Sequence, residues 1–333
     1  MTDVFLDPYL LALPDSTQPQ HGLEDYLSVL LDWNALLGRQ GLRFLKATEA
    51  DATLYQGEAA PTWDNVSAAN KTCSSVYIQE RDVVEVVELF LRRSVAVETV
   101  SDMEVFATDG VQVQPLPLLC GRPDHFVAHC HDLLMLAGVH QFMDPPDLPQ
   151  FLATRFLSHE AVDATFEGRV LWREAGQTDH DRIISGSLRL SSTAYDLERQ
   201  LDPIVFWQNG HIEGALSLYL GTHQTGFYGP IQNRKLGFRF APAFWELLKP
   251  SGFSHDPPKI ERLLRALRET VTGIRMEDVH ALRTGVGGNS PQRNRNKDLA
   301  WRRDIDREYH LHYWATSNGP EFVQVGVHNN FEI

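Results

Sequence analysis

A chain of 333 residues with 43% hydrophobic and 22% charged residues has the apolar mass for real cores, which excludes a fibrous, collagenous or disordered protein. Its formal net charge of −14, taken whole, argues against a nucleic-acid binder, because phosphate contacts need Lys and Arg. No run approaches the roughly 18 uninterrupted apolar residues of a transmembrane helix, and three cysteines (Cys73, Cys120 and Cys130) are too few for a disulfide framework.

The first stretch, MTDVFLDPYLLALPDS, is acidic where a secretory leader is basic, so the expectation is a cytoplasmic protein with reduced thiols. Val4-Phe5-Leu6 is a short apolar run ending on Asp7 and Pro8. Leu23, Tyr26, Leu27, Leu30, Leu31 and Leu37 form one helical stripe, and Leu42 to Lys46 reads as the next strand. DVVEVVELFLRR, from Asp82, is a helix whose basic end suits its C-terminal dipole. DHFVAHCHDLLMLAGVHQF is another, and MDPPDLP closes an α/β region at residue 149. Residues 150–256 mix strands (FEGRVLW, RIISGSLRL) with short helices (SSTAYDLERQL, AFWELLK). The Pro-Pro pair at 257–258 marks a second boundary.

The last 77 residues, 257–333, hold 12 Lys+Arg against 10 Asp+Glu, whereas residues 1–256 hold 18 against 34. That split, +2 against −16, points to separate domains with separate partners. KIERLLRALRETVTGI is an amphipathic helix, and RTGVGGNSPQRNRNKD is a loop of Gly, Asn and Arg without the Lys-Ser/Thr of a P-loop. AWRRDI, EYHLHYW and EFVQVGV are strand-like, with SNGP as the last turn. The expected fold class is therefore an α/β N-terminal part plus a small α+β domain, helices packed on an antiparallel sheet.

Period-two alternation puts Tyr309, Leu311 and Tyr313 on one face of EYHLHYW, and His310, His312 and Trp314 on the other. His328 ends the neighbouring run, and one of Arg302 and Arg303 joins the histidine face. Two imidazoles and a guanidinium are what metal-free RNA cleavage requires. A base takes the 2′-OH proton, an acid protonates the leaving 5′-oxygen, and a cation steadies the crowded phosphate. The plainer reading of the same residues is the polar face of an ordinary hairpin.

WRRDIDREYHLHYW followed by EFVQVGVHNNFEI resembles the closing strands of the RelE/ParE-type toxin (mRNA interferase) family, over about the last quarter of the chain. The resemblance implies a metal-independent endoribonuclease acting on mRNA, often on the ribosome, in bacterial stress or anti-phage defence. By the resemblance, His310, His312, His328, Arg303 and Tyr309 are the catalytic candidates, with no cofactor. Arg293, Arg295, Lys297, Arg302 and Trp314 are the RNA-binding ones. Asp304 and Asp306 interrupt the basic run, a departure from that family. The acidic residues 1–256 would then be a regulatory or partner-docking module.

Two other sites compete. VFLDPYLL is similar to the first strand of PIN-like nucleases, which implies a Mg²⁺ or Mn²⁺ site built from Asp7, Asp124, Asp132 and either Glu85 or Glu88. In that case the tail serves binding only, or the whole protein is a non-enzymatic binder. His125 and His129 have the i,i+4 spacing of zinc ligands, yet His129, Cys130 and His131 point in different directions around a helix. They read as ordinary helix residues, as His211 and Glu213 do outside any recognisable constellation.

Overall fold

In a computed structural model of the chain, residues 1–333 are described except 15–21, 58, 74–77, 147, 156–161, 175, 223–236, 286–288, 329 and 331. The protein is mixed α/β and divides into two compact units, Met1–Leu197 and Glu198–Ile333. No helix among the described residues is long and apolar enough to cross a membrane.

The first unit is built on β1 (Thr2–Leu6), β2 (Leu42–Lys46), β3 (Val95–Ala96), β4 (Met103–Gln114), β5 (Phe151–Ala153), β6 (Asp163–Glu174) and β7 (Asp179–Ser191). They form one seven-stranded sheet in the order β3-β2-β1-β5-β7-β6-β4. β3, β2, β1, β5 and β7 run parallel, and β6 and β4 are added antiparallel. The parallel strands VFL and FLA are buried without alternation, as strands covered on both faces must be. The helices are α1 (Leu23–Asn34), α2 (Ala50–Leu54), α3 (Trp63–Cys73), α4 (Glu80–Arg93), α5 (Val97–Ser101) and α6 (Asp124–Met143).

Helix α6 is the core element. From Leu133 to His140 every residue is buried, so this stretch is enclosed on all sides rather than amphipathic. It lies close on the β6–β7 hairpin because Gly138 and Gly186 leave no side chain between them. A Cβ at Gly138 would come within 2.7 Å of Ile184, and one at Gly186 within 2.6 Å of both Phe166 and Gln141. β4 forms the outer edge, and its pairing with β6 slips at two places, Val105/Ala107 and Asp109/Gln112.

A short helix, α7 (Ala194–Gln200), spans the division between the units. The second unit contains α8 (Pro203–Gln208), α9 (Ile212–Thr222), α10 (Phe244–Leu248) and α11 (Pro257–Thr272). Its strands are β8 (Arg239–Phe240), β9 (Val279–Ala281), β10 (Asn294–Arg295), β11 (Asp298–Asp304), β12 (Tyr309–Thr316) and β13 (Gly319–Val327). The sheet order is β10-β11-β12-β13-β8, with β9 paired to β11. Residues 150–256, read from the sequence as a middle region, are shared between the units. β6 and β7 complete the first sheet, while β8 pairs parallel with β13, Glu321 opposite Arg239.

The register of the meander decides what each face carries. Arg302 pairs with His312 and Asp304 with His310 across β11–β12, and His312 with Gln324 and His310 with Gly326 across β12–β13. The pleat then sends Arg303, Leu311 and Tyr313 to the opposite face, where Leu311 and Arg303 are wholly buried and Tyr313 nearly so. α11 supplies the partner there: Arg303 Nη1 donates to Glu269 Oε2 at 3.1 Å, and Nη2 to the Ile274 carbonyl at 2.8 Å. A buried charge left without its partner is costly. Arg303→Ala is expected to destabilise the second unit by about 3–5 kcal/mol, and Arg303→Lys to recover only part of this because Lys lacks the planar fork. Urea denaturation followed by Trp fluorescence measures both.

Candidate functional site

The face of the second sheet away from α11 carries a line of polar groups that crosses four strands. His328, just beyond β13, places Nδ1 2.8 Å from His310 Nε2 on β12. His310 Nδ1 lies 2.8 Å from Asp304 Oδ1 on β11, a close contact that departs from a collinear hydrogen bond. Asp304 Oδ2 is 3.7 Å from His280 Nε2 on β9. The order along the sheet is therefore His280, Asp304, His310, His328.

One tautomer pattern turns a proton of His310 toward Asp304. An ionised Asp304 only accepts, so His310 carries its proton on Nδ1 and offers Nε2 as an acceptor; His328 then donates from Nδ1 and turns a lone pair on Nε2 to solvent. His310 is 2% exposed, whereas His328 is exposed and the His280 side chain is half-exposed. Burial lowers the His310 pKa, only partly offset by Asp304. Arg302 stands on the same face, its Nη1 3.4 Å from the His328 carbonyl oxygen.

His312 plays a different part. It is wholly buried, because the closing residues fold back over it. Its Nδ1 donates to the Glu332 carbonyl at 2.9 Å, Gln324 Nε2 donates to the same oxygen at 2.6 Å, and Ile333 packs on Leu282, Ala300 and Trp314. Gly326 makes room for this closure, since a Cβ there would meet His312 at 3.0 Å and Asn330 at 3.1 Å. Burial, with smaller contributions from His310 and Arg302, pulls the His312 pKa down to about 4 against the pull of the Glu332 hydrogen bond. At neutral pH His312 is thus an uncharged packing group.

Of the residues singled out from the sequence, His310, His328 and Arg302 come together, with His312 beneath them. Arg303 and Tyr309 do not join them. Arg303 is enclosed on the α11 face, and Tyr309 is on that face too, its ring 5.1 Å edge-on to Phe253 and 5.1 Å from Lys259 Nζ. Arg295 is engaged by both oxygens of Glu321, at 3.0 and 2.8 Å, and by Asp298, and its guanidinium covers the Trp314 ring at 4.8 Å. Neither is therefore open to a nucleotide, and Trp314 is 8% exposed. Lys297 is exposed beside Asn296, at the tip of the β10–β11 turn, and Arg293 is half-buried. Residues 286–288 of the basic loop lie outside the described residues.

His280 and the role of Asp304 were not read from the sequence. β9 is only three residues long, too short for alternation to reveal, and Asp304 reads in isolation as a break in a basic run. Asp304 also borders an open cavity of about 330 Å³ lined by four arginines, Arg262, Arg265, Arg275 and Arg307, and by as many carboxylates, Asp304 among them. Two of these form loose ion pairs, Arg262 with Asp306 at 3.5 Å and Arg275 with Glu269 at 3.7 Å.

In the first unit, Asp7 does not gather carboxylates. It is wholly buried, with Oδ2 2.5 Å from Arg122 Nη1 and hydrogen-bonded by the Thr154 hydroxyl, and Oδ1 accepts the Tyr9 amide at 3.1 Å. Asp124 is exposed at the start of α6, Asp132 accepts from Thr108 at 2.7 Å, Glu85 pairs with Arg81 and Glu88 is exposed. Among the described residues no group of three or more His, Cys, Asp or Glu is placed to hold a metal ion. His129 hydrogen-bonds Thr53 at 2.9 Å, and Cys130 is buried with its thiol pushed up to about 12.

Compared with known proteins, the chain matches no family model, no curated protein and no solved structure.

The His312 shift carries a stability consequence. Its folded pKa, about 4, lies below the unfolded value near 6.5, so the unfolded chain binds the extra proton between those pH values. The contribution is complete above about pH 6.5 and is lost as pH falls towards 4, with an upper bound of about 3 kcal/mol. Denaturation midpoints across that range should fall with acid in the wild type. They should fall less steeply in His312→Gln.

Proposed function

We propose that the second unit is a metal-independent endoribonuclease of the RelE type, cutting mRNA in the cytoplasm. The observation that carries this reading is the line Asp304–His310–His328, which ends on a solvent-facing imidazole lone pair beside Arg302. His328 Nε2 takes the proton from a ribose 2′-OH. The 2′-oxygen attacks phosphorus as the bond to the 5′-oxygen breaks, and water protonates the departing 5′-oxygen; His280, at the far end of the line, acts only on the orientation of Asp304. Asp304 and His310 hold the tautomer and steady the imidazolium that forms on His328, and Arg302 stabilises the charge gathering on the phosphate. The products are a 2′,3′-cyclic phosphate and a 5′-hydroxyl. Arg262, Arg265, Arg275 and Arg307, rather than the loop at 293–297, then track the RNA backbone toward Asp304. The first unit, Met1–Leu197, is assigned a regulatory role on charge alone: it holds 13 Lys+Arg against 29 Asp+Glu, where the second unit holds 17 against 15.

The test is cleavage of end-labelled RNA by the whole chain in EDTA, with and without ribosomes. Cutting should persist in EDTA and leave cyclic phosphate ends. His328→Ala and His310→Ala should each lower the rate by about 10²-fold or more, and Asp304→Asn by less. Cutting abolished by EDTA, or unchanged in His328→Ala, would overturn the reading; no cutting in any condition would leave a binding protein.

The groove is tested separately. Arg265→Ala and Arg307→Ala, neither of which has a carboxylate within 4 Å among the described ion pairs, should raise KM several-fold and leave kcat near the wild-type value. The salt dependence of binding should also flatten by roughly one counterion per Arg removed.

A further inference from the structure

At the opposite pole of function from RNA cleavage, the first unit contains a serine, a histidine and an aspartate in hydrogen-bonded sequence. Ser101 Oγ is 2.7 Å from His140 Nδ1, and His140 Nε2 is 3.0 Å from Asp3 Oδ2. They come from three separate elements: Ser101 is the last residue of α5, His140 lies near the end of α6, and Asp3 is on β1. Asp3 is further held by Arg43, whose Nε reaches Oδ1 at 2.6 Å and whose Nη2 reaches Oδ2 at 2.9 Å, and by Gln150 Nε2 at 3.3 Å.

The network leaves one proton arrangement. Burial works to raise the Asp3 carboxyl, but the bonds from His140 and Arg43 outweigh it and hold the group below the usual carboxylate range. Asp3 is therefore an anion that only accepts, and His140 must donate to it from Nε2. The Nδ1 atom is then a lone pair, and the hydroxyl proton of Ser101 points at it. This is the arrangement in which a histidine activates a serine and a carboxylate fixes the tautomer. His140 is 2% exposed and its ring is held edge-on by Phe5 at 6.0 Å, whereas Ser101 is half-buried. The next residue, Asp102, has φ 49° and ψ 46° and ends α5 as its left-handed cap, its N–H bonded to the Glu98 carbonyl.

We propose that Ser101 is an activated nucleophile towards acyl groups, with an ester or thioester carbonyl as its substrate class. Ser101 Oγ attacks the carbonyl carbon while its proton moves to His140 Nδ1. The carbon–oxygen or carbon–sulfur bond to the leaving group breaks, and the leaving alcohol or thiol takes that proton. Water, deprotonated by His140, then releases the acid and restores Ser101. Asp3 acts through His140 and is a positioning residue. This activity does not depend on the ribonuclease reading, since it uses neither the second unit nor a phosphate.

An alkyl fluorophosphonate tests the proposal on the whole chain. Ser101 Oγ displaces fluoride from phosphorus, and the adduct is read by intact mass and peptide mapping. The native protein should be labelled at Ser101, and the guanidinium-unfolded protein and Ser101→Ala should not. His140→Gln, checked for folding by circular dichroism, should slow labelling at Ser101 by about 10²-fold or more. Should that variant unfold, Asp3→Asn is read instead, with slower labelling expected while Ser101 is retained. A native chain that gives no adduct at Ser101, or a folded His140→Gln chain labelled as fast as wild type, would show the three residues to be a buried structural network and overturn the proposal.

Discussion

The antiparallel register of β11 and β12 is the constraint on which the second unit turns. With Arg302 opposite His312 and Asp304 opposite His310, the two strands bring their histidines, Arg302 and Asp304 to one face, and Leu311, Tyr313 and the buried Arg303 to the other. A slip by one residue would carry Leu311 and Tyr313 to the face of Asp304 and put the imidazoles under α11. The buried pair Arg303–Glu269 makes such a slip expensive, because it would also carry a desolvated charge away from its partner. Arg303 therefore contributes to any chemistry on the far side of the sheet by holding the register rather than by touching a phosphate.

The same logic separates two histidines that look equivalent in the sequence. His310 and His312 are two residues apart on one face, yet one is joined to an exposed imidazole and the other is sealed under the closing residues. The difference comes from β13 and the residues after it. His328 leaves the sheet beside His310, while Glu332 and Ile333 lie across His312, and Asn330 occupies the space that Gly326 leaves open. A proton carrier needs access to water, and of the two only His310 has a route to it, through His328.

Periodicity made much of this architecture legible. Strands at 42–46, 163–174, 179–191 and 309–316 and helices at 80–93, 124–143 and 257–272 follow from alternation, helical stripes and caps within a few residues of where they occur. The face assignment of His310 and His312 followed from the pleat alone. Pairings between distant segments stayed hidden. Asp7 reads as a metal ligand until Arg122, 115 residues later, is seen to neutralise it. Arg303 reads as a catalytic cation until Glu269 is found beneath it, and Arg295 as an RNA contact until Glu321 is found beside it. His280 depends on a three-residue strand that no local pattern announces. In each case local sequence specified the chemistry of the side chain, while a partner far along the chain decided whether that chemistry was available.

The slipped pairing of β4 has a consequence for how the first unit meets other molecules. A sheet rim with a regular row of backbone donors and acceptors is an invitation for a foreign strand to add on. β4 departs from regular pairing twice along its length, and the two-residue β3 at the other rim is too short to template another chain. Lateral growth of this sheet into aggregates is thus discouraged at both rims.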